Sequence, residues 1–483
     1  MSLTGKVIKN AAFQVGSQAV TWLFAWVLLI YLPRYLGDEG FGRLFFAISF
    51  ALIASIFLNL GVNTFLMREV ARKPEEAPKL LANALSLKAA LSLVVYAAMM
   101  LVVRTIGVTA EAVTATDIVG LGFVIGSFGQ TFTCYLQAEQ RGREPAVALV
   151  VEKAITTAGS VALLLAGHGL VAVAWMHLAG YVASTVITGI ALYRTIPFEL
   201  AWDRVVMKRV LLGAAPFLIW IVFGEIYVRI DVLMLTIMSG DEVVGWYGAA
   251  FRLYGTMLFV PNIFMTSVFP AIARKFAKPG EEANVATRRT LNLMLLVAIP
   301  IGLGMTLVAA PVVELLFGLE QFAHSVENLR IFGLSMVFVC IDVVLGSVLI
   351  ANDKQKQWSY AAIGAAALNP VLNLALIPWA QARLGNGGYG AAIATLATEI
   401  FMMVVAFKLL PKGVFDRASR VTALKASLAG AFMMIAVTPM EALGLVPVIL
   451  GGAVAYGVAV LALRVLPKED MAHLMHALRR RSA

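Results

Sequence analysis

Leu36-Gly37-Asp38-Glu39-Gly40-Phe41-Gly42 and Ser239-Gly240-Asp241-Glu242-Val243-Val244-Gly245-Trp246-Tyr247 read as two copies of one loop. Each follows an apolar stretch long enough to cross a hydrocarbon core of about 30 Å. Each also opens an apolar helix that ends in a basic segment, Arg68 to Arg72 in the first copy and Arg274-Lys275 in the second. The offset is 203 residues, from Asp38 to Asp241. A second pair, Ala138-Glu139-Gln140-Arg141 and Ala351-Asn352-Asp353-Lys354, recurs at an offset near 213. Six apolar spans separate the members of each pair. Six is even, so the halves share one orientation and relate by an axis along the membrane normal. Parallel repeats of this kind are a transporter architecture, with the substrate path at the repeat interface.

Working outward, such spans recur along the whole chain, near 11–33, 41–66, 81–103, 118–137, 146–166, 170–193, 211–237, 243–269, 291–310, 328–350, 358–378, 387–407, 421–440 and 444–466. Apolar residues make up 60% of the 483 and charged residues 14%, against roughly 45–50% and about 25% in soluble domains. The expected fold is an all-α membrane protein of about fourteen transmembrane helices. Two six-span lobes take residues 1–200 and 201–412, two extra spans take 413–466, and a basic tail takes 467–483. In that tail Met471, Leu474, Met475 and Leu478 follow helical spacing ahead of Arg479-Arg480-Arg481, which predicts an amphipathic helix on the inner leaflet. The first span follows Lys6 and Lys9 but runs past signal-peptide length and lacks a small-residue cleavage site, so it reads as a retained helix. The stretches left in water are too short for a soluble catalytic domain.

The net charge of +10 is explained by where the charges lie. With the N-terminus inside, only Arg34, Arg43, Arg104, Arg330 and Arg383 among the 38 Lys and Arg fall on the outer side. Arg229 and Arg252 lie deep in spans, and the rest are cytoplasmic. That is the positive-inside pattern, a topology signal and not a nucleic-acid surface, and it puts both termini in the cytoplasm. Cys134 and Cys340 sit inside spans and form neither a disulfide framework nor a zinc site by spacing. His473 and His476 on the tail carry no more than a weak metal signal. Walker, zinc-protease, nucleophile-elbow and Rossmann motifs are absent, which argues against an ATP-driven pump or an enzyme.

Ionisable residues deep in a span are costly and by default face a cavity or a partner. They concentrate in the second half: Glu225, Arg229 and Asp231 in span 7, Arg252 in span 8, Asp342 in span 10 and Glu399 in span 12. In the first half, Lys88, Glu152 and Lys153 lie near cytoplasmic ends, where snorkelling is the expectation. At 1.5 Å per residue, Arg229 and Arg252 both fall about 6 Å outward of the midplane. Two guanidiniums at one depth suit a bidentate grip on phosphate. The competing reading is internal pairing, with Glu225 and Arg229 at i, i+4 and Asp231 neutralising Arg252. A polar set also stands out: Asn369-Pro370-Val371-Leu372-Asn373 in span 11, with Thr395, Thr398 and Glu399 in span 12. With Asp231, these oxygens fit a small hard cation, or they serve as interhelical hydrogen-bonding glue.

The run Arg229-Ile230-Asp231, then Val244-Gly245-Trp246-Tyr247-Gly248-Ala249-Ala250-Phe251-Arg252-Leu253, closed by Phe269-Pro270, resembles the polysaccharide-transport (Wzx-type flippase) family. Leu36 to Gly42 is similar to that family's first outer loop. The resemblance places the chain in a superfamily with lipid II flippases and multidrug extruders, and it covers most of the chain. It implies two six-helix lobes forming a V around a cationic cavity lined by spans 1, 2, 7 and 8. The implied substrate is an oligosaccharide on undecaprenyl pyrophosphate, flipped to the outer leaflet of the bacterial cytoplasmic membrane. Arg229, Arg252 and Arg34 are the implied pyrophosphate ligands. No cofactor is implied beyond sodium or proton coupling. Asp231, Asn369, Asn373 and Thr395 occupy places similar to the lipid II flippase sodium site, although Asn373 lacks that site's carboxylate. Glu225, Asp231, Asp342 and Glu399 are the cavity or coupling acids. Implied partners are membrane lipids and the pathway's polymerase and glycosyltransferases. Pro216, Pro261, Pro300, Pro370 and Pro439 offer bending points. A lipid II flippase or a cation-coupled drug exporter is the alternative.

Overall fold

Helices α1 (Leu3–Asn59) and α2 (Val62–Arg72) open the computed structural model, which describes residues 3–196, 201–276, 280–410, 413–414 and 416–465. There follow α3 (Ala77–Thr105), α4 (Ala110–Ala138), α5 (Arg143–Leu165), α6 (Leu170–Tyr193) and α7 (Arg204–Met238). Next come α8 (Asp241–Met257), α9 (Phe259–Phe276), α10 (Glu281–Leu307), α11 (Ala309–Leu316) and α12 (Leu319–Ala351). The last are α13 (Gln355–Leu384), α14 (Gly387–Leu409), α15 (Arg417–Val437) and α16 (Leu445–Ala462). Among the described residues, 12 helical stretches are long and apolar enough to cross a membrane. The first, Phe13–Asn59, holds two expected spans, divided at Gly37 with φ 70 and ψ −179. Only glycine enters that region without strain, so the repeat's first glycine makes the corner. The 35-residue α7 coincides with the seventh expected span. The chain is thus a multi-pass helical membrane protein with a helix at each of the fourteen expected spans. The basic tail at 468–481 lies outside the described residues.

The breaks have local causes. Pro261 would clash with the carbonyl four residues back, at Met257, which is where α8 ends and α9 begins. Leu60 and Gly61 both take left-handed backbone, at φ 43 and φ 76, and separate α1 from α2. Starts are capped by side-chain oxygens: Asp203 accepts from the N–H groups of Val205 and Val206, and Asp416 from Ser419. In α15 the exposed apolar residues Val421, Leu424, Leu428, Phe432 and Ile435 form one helical stripe. That stripe meets lipid. The opposite face buries Ala426, Ala429 and Gly430, and a Cβ on Gly430 would meet Leu303 and Ile299 of α10 at 2.6 and 2.7 Å. Small residues there let the appended helix lie close on α10.

Two compact units emerge, one of Met1–Gly248 with Gln381–Gly387, the other of Ala249–Ala380 with Gly388–Ala483. Helix α7, which the repeat assigns to the second half, falls in the first unit. Polar ties at its start account for this. Arg209 bridges Glu69 at 3.3 Å and also pairs with Glu76. Lys79 bridges Asp203 at 2.8 Å, and the Asp203 N–H donates to Asn83. Beneath them Phe65, Leu66, Leu80, Leu81, Tyr135 and Val210 share one apolar core.

Within the first unit the two repeated loops meet face to face, and the contact is reciprocal. A Cβ on Gly42 would lie 1.9 Å from the carbonyl oxygen of Asp241, and one on Gly245 would lie 2.1 Å from that of Asp38. Each glycine stands four residues after its own loop's aspartate and makes room for the other loop's backbone. The next residue in each copy reaches across to the other aspartate. Arg43 Nε donates to Asp241 Oδ2 at 2.7 Å, and Trp246 Nε1 donates to Asp38 Oδ2 at 3.0 Å. Arg43 also bridges Glu39 at 2.6 Å and Glu111 at 2.9 Å.

Candidate functional site

Helix α7 carries its ionisable residues on a membrane-spanning segment, and the i, i+4 spacing has the consequence expected of it. Arg229 Nε donates to Glu225 Oε2 at 2.9 Å. The side chains are 22% and 38% exposed, so this pair is reachable from outside the packed lobe. Two residues on, Asp231 is 2% exposed and accepts from the Tyr247 hydroxyl at 2.7 Å. Tyr247 was not singled out in the sequence, and its place in the second repeat loop is what carries it to Asp231. Arg252, half-buried on α8, belongs to the second unit. Arg34 is exposed one turn before the Gly37 corner.

The second unit holds two further expected groups. Asp342 on α12 and Glu399 on α14 are 6% and 8% exposed, and their carboxyls face one another. Apart from Glu399, no donor among the described residues reaches either Asp342 oxygen. Two buried acids side by side need a shared proton or a cation between them. Nearby, Asn369 and Asn373 of α13 are 1% and 0% exposed, and the Asn373 amide donates to Asn369 Oδ1 at 3.0 Å. The Thr395 hydroxyl donates to its own helix at the Ala391 carbonyl. Of the four residues read as a cation site, Asn369, Asn373 and Thr395 lie in the second unit and Asp231 in the first. Among the described residues no group of three His, Cys, Asp or Glu side chains could hold a metal.

The snorkelling expected of Lys88 and Glu152 is corrected, whereas the Lys153 side chain is 39% exposed. Lys88 is 2% exposed, and its ammonium lies in a cage of oxygens. It donates to Asn59 Oδ1 at 2.9 Å, Asn63 Oδ1 at 3.4 Å, the Ser127 carbonyl at 2.8 Å and Thr131 Oγ1 at 2.6 Å. Span-end position suggested a route to water, but α2 and α4 close over the side chain. Glu152 is likewise buried and bridges Lys153 at 2.8 Å. The signal available in advance was the polar set itself: Asn59 and Asn63 at i, i+4, opposite Lys88 and Thr131.

Residues 7–276, more than half of the chain, match the model of the family described as polysaccharide biosynthesis protein. Residues 216–375 also match the MatE family. A probable flippase of Haloferax volcanii, AglR, is 26% identical over 261 residues, which make up 52% of this chain and 53% of that protein. The match therefore spans about half the length of that relative. The fold is similar to the lipid II flippase MurJ in an inward closed conformation, at TM-score 0.75 and 16% identity, over 95% of this chain and 99% of that one. It is also similar to an inward-facing multidrug resistance transporter of the MATE family and MOP superfamily, at TM-score 0.62 and 16% identity, over 84% of this chain and 94% of that one. The long family match, with the paired G-D-E loops inside it and a fold shared with MurJ, makes this chain a member of the polysaccharide biosynthesis protein family.

Proposed function

We propose that this chain is a flippase. It moves an oligosaccharide on undecaprenyl pyrophosphate from the cytoplasmic to the outer leaflet of the cytoplasmic membrane, with both of its own termini inside. The observation that carries this reading is the Glu225–Arg229 pair: a guanidinium on a membrane-spanning helix, partly exposed, whose partner is a carboxylate on its own helix. A pyrophosphate oxygen can replace that carboxylate in kind, because both accept bidentate bonds from the guanidinium fork. Arg252 and Arg34 are the further phosphate ligands in this reading. Membership of the family and the flippase relative support it.

Transport against a gradient needs a driving ion, and the buried Asp342–Glu399 pair suits that role best. It can exchange a proton, or a cation, between two states of the second unit. Asn369, Asn373 and Thr395, all in the second unit, offer side-chain oxygens to sodium as the other candidate. Asn369 and Asn373 already bond one another, so the acid pair is the stronger candidate. That pair, with the MatE match, is also what favours a cation-coupled exporter as the second reading.

The test is translocation of lipid-linked oligosaccharide in vesicles, read beside folded yield. Arg229→Gln should cut flipping at least tenfold while the protein stays in the membrane, and Lys at that position should rescue in part. If Arg229 served only its salt bridge, Arg229→Gln would lower thermal stability and Glu225→Gln would restore it. Wild-type flipping by a stable Arg229→Gln/Arg252→Gln protein would remove the phosphate role.

A further inference from the structure

A cavity of about 400 Å³ opens inside the first unit, between α1, α4, α5 and α6. Its volume lies within the roughly 300–1,000 Å³ of small-ligand sites. Its wall joins apolar residues, among them Ala146 and Leu149, to several neutral hydrogen-bonding groups. Gln18 of α1 and Gln130 and Gln137 of α4 line it, and none of these amides bonds to a described residue. The Tyr181 hydroxyl on α6 is uncommitted in the same way, while its ring packs on Phe123 with centroids 5.2 Å apart. Gly126 gives that ring its place, since a Cβ there would meet it at 2.6 Å. The cavity's one acid and one base, Glu152 and Lys153, pair with each other at 2.8 Å, so it has no net charge to offer an anion.

Gln18 and Gln130 are exposed and Gln137 is half-buried, so these amides present their hydrogen-bonding groups to the cavity and not to packed neighbours. Each amide presents a donor and an acceptor together. Neighbouring sugar hydroxyls present the same two functions, and a tyrosine ring offers an apolar face beside a polar tip. We infer that this cavity binds the neutral sugar part of the substrate and sets which oligosaccharide is accepted. The inference rests on the flippase reading. It divides the labour: arginines hold the charged carrier, and the first-unit cavity reads the sugar. Arg229 and Glu152 both act electrostatically on Tyr181, which ties the sugar cavity to the phosphate ligand within one unit. Gln18, Gln137 and Lys153 also lie toward the ends of their spans that positive charge assigns to the cytoplasm, where an inner-leaflet substrate enters.

Binding of two probes to the full-length protein in nanodiscs tests this. One is the polyprenyl-pyrophosphate oligosaccharide pool extracted from the source cells, and the other is undecaprenyl pyrophosphate without sugar. Gln18→Leu/Gln130→Leu should weaken binding of the first at least tenfold and leave the second unchanged. Thermal stability should hold or rise, because the change removes uncommitted polar groups, whereas a structural role would lower it. Tyr181→Phe, which keeps the ring, should weaken the sugar-bearing probe alone. Equal affinity of wild type for the two probes would overturn the inference, and so would an unchanged affinity of the double variant for the sugar-bearing one. Arg229→Gln should weaken both probes. Failure of wild type to bind either would instead remove the flippase reading, and the sugar site with it.

Discussion

An ammonium has three hydrogens to donate, and Lys88 meets four oxygens within a lobe where water does not reach it. Burying a charge without a carboxylate partner is tolerable only because the cage is complete. Asn59 and Asn63 flank the left-handed pair Leu60 and Gly61, so the lysine of α3 ties down the joint between α1 and α2. Lys88→Met should lower stability by about 1–3 kcal/mol, because the oxygens lose their cationic donor and keep only the Asn63 amide and the single Thr131 hydroxyl hydrogen. Thermal unfolding in detergent measures it, and an unchanged midpoint would show the cage to be dispensable. Asp342 is the opposite case, a buried acid whose oxygens face another acid and, among the described residues, receive no other hydrogen-bond donor. Asp342→Asn should fold at least as well as wild type, since it removes a like-charge neighbour. In the coupling role it should also abolish the dependence of transport on the ion gradient. Gradient-driven flipping by that variant would sink the role.

At the level of elements, the two repeated loops behave as one clasp built from two copies of a single sequence. Gly42 and Gly245 let the backbones touch, and Arg43 and Trp246 donate across to Asp241 and Asp38. Gly42→Ala and Gly245→Ala should each cost about 1–3 kcal/mol, the usual penalty for overpacking, because the obstructing atoms are backbone and cannot turn aside. A stability gain from either would mean that the loops do not meet. The pairing itself is measurable by a double-mutant cycle on Arg43→Ala and Asp241→Ala, where groups in direct contact give a coupling of about 0.5–3 kcal/mol. Additive effects would show that Arg43 depends instead on Glu39 and Glu111. The helix breaks belong to this scale too, since Pro261 sterically closes a straight helix and Gly37 admits a backbone turn that other residues resist.

For the molecule as a whole, orientation follows from charge. Reporter fusions near Lys73, Arg204, Lys278 and Lys412 should report cytoplasm, and those near Thr109, Asp241 and Gly385 the outside. One inverted pair after Arg204 would break the parallel repeat. The spans and their number were legible in the chain, because burial in hydrocarbon demands long apolar helices whatever their partners. The Glu225–Arg229 pair was legible for a similar reason: helical spacing alone brings i and i+4 together. The cage around Lys88, the hydroxyl of Tyr247 on Asp231, the mutual clasp of the loops and the amide-lined cavity were not. Each joins residues from different helices, and a helix's own periodicity says which face it buries but not which neighbour covers it. That choice was made by interhelical packing, where small residues decide how closely backbones approach and so which polar groups come within reach of one another.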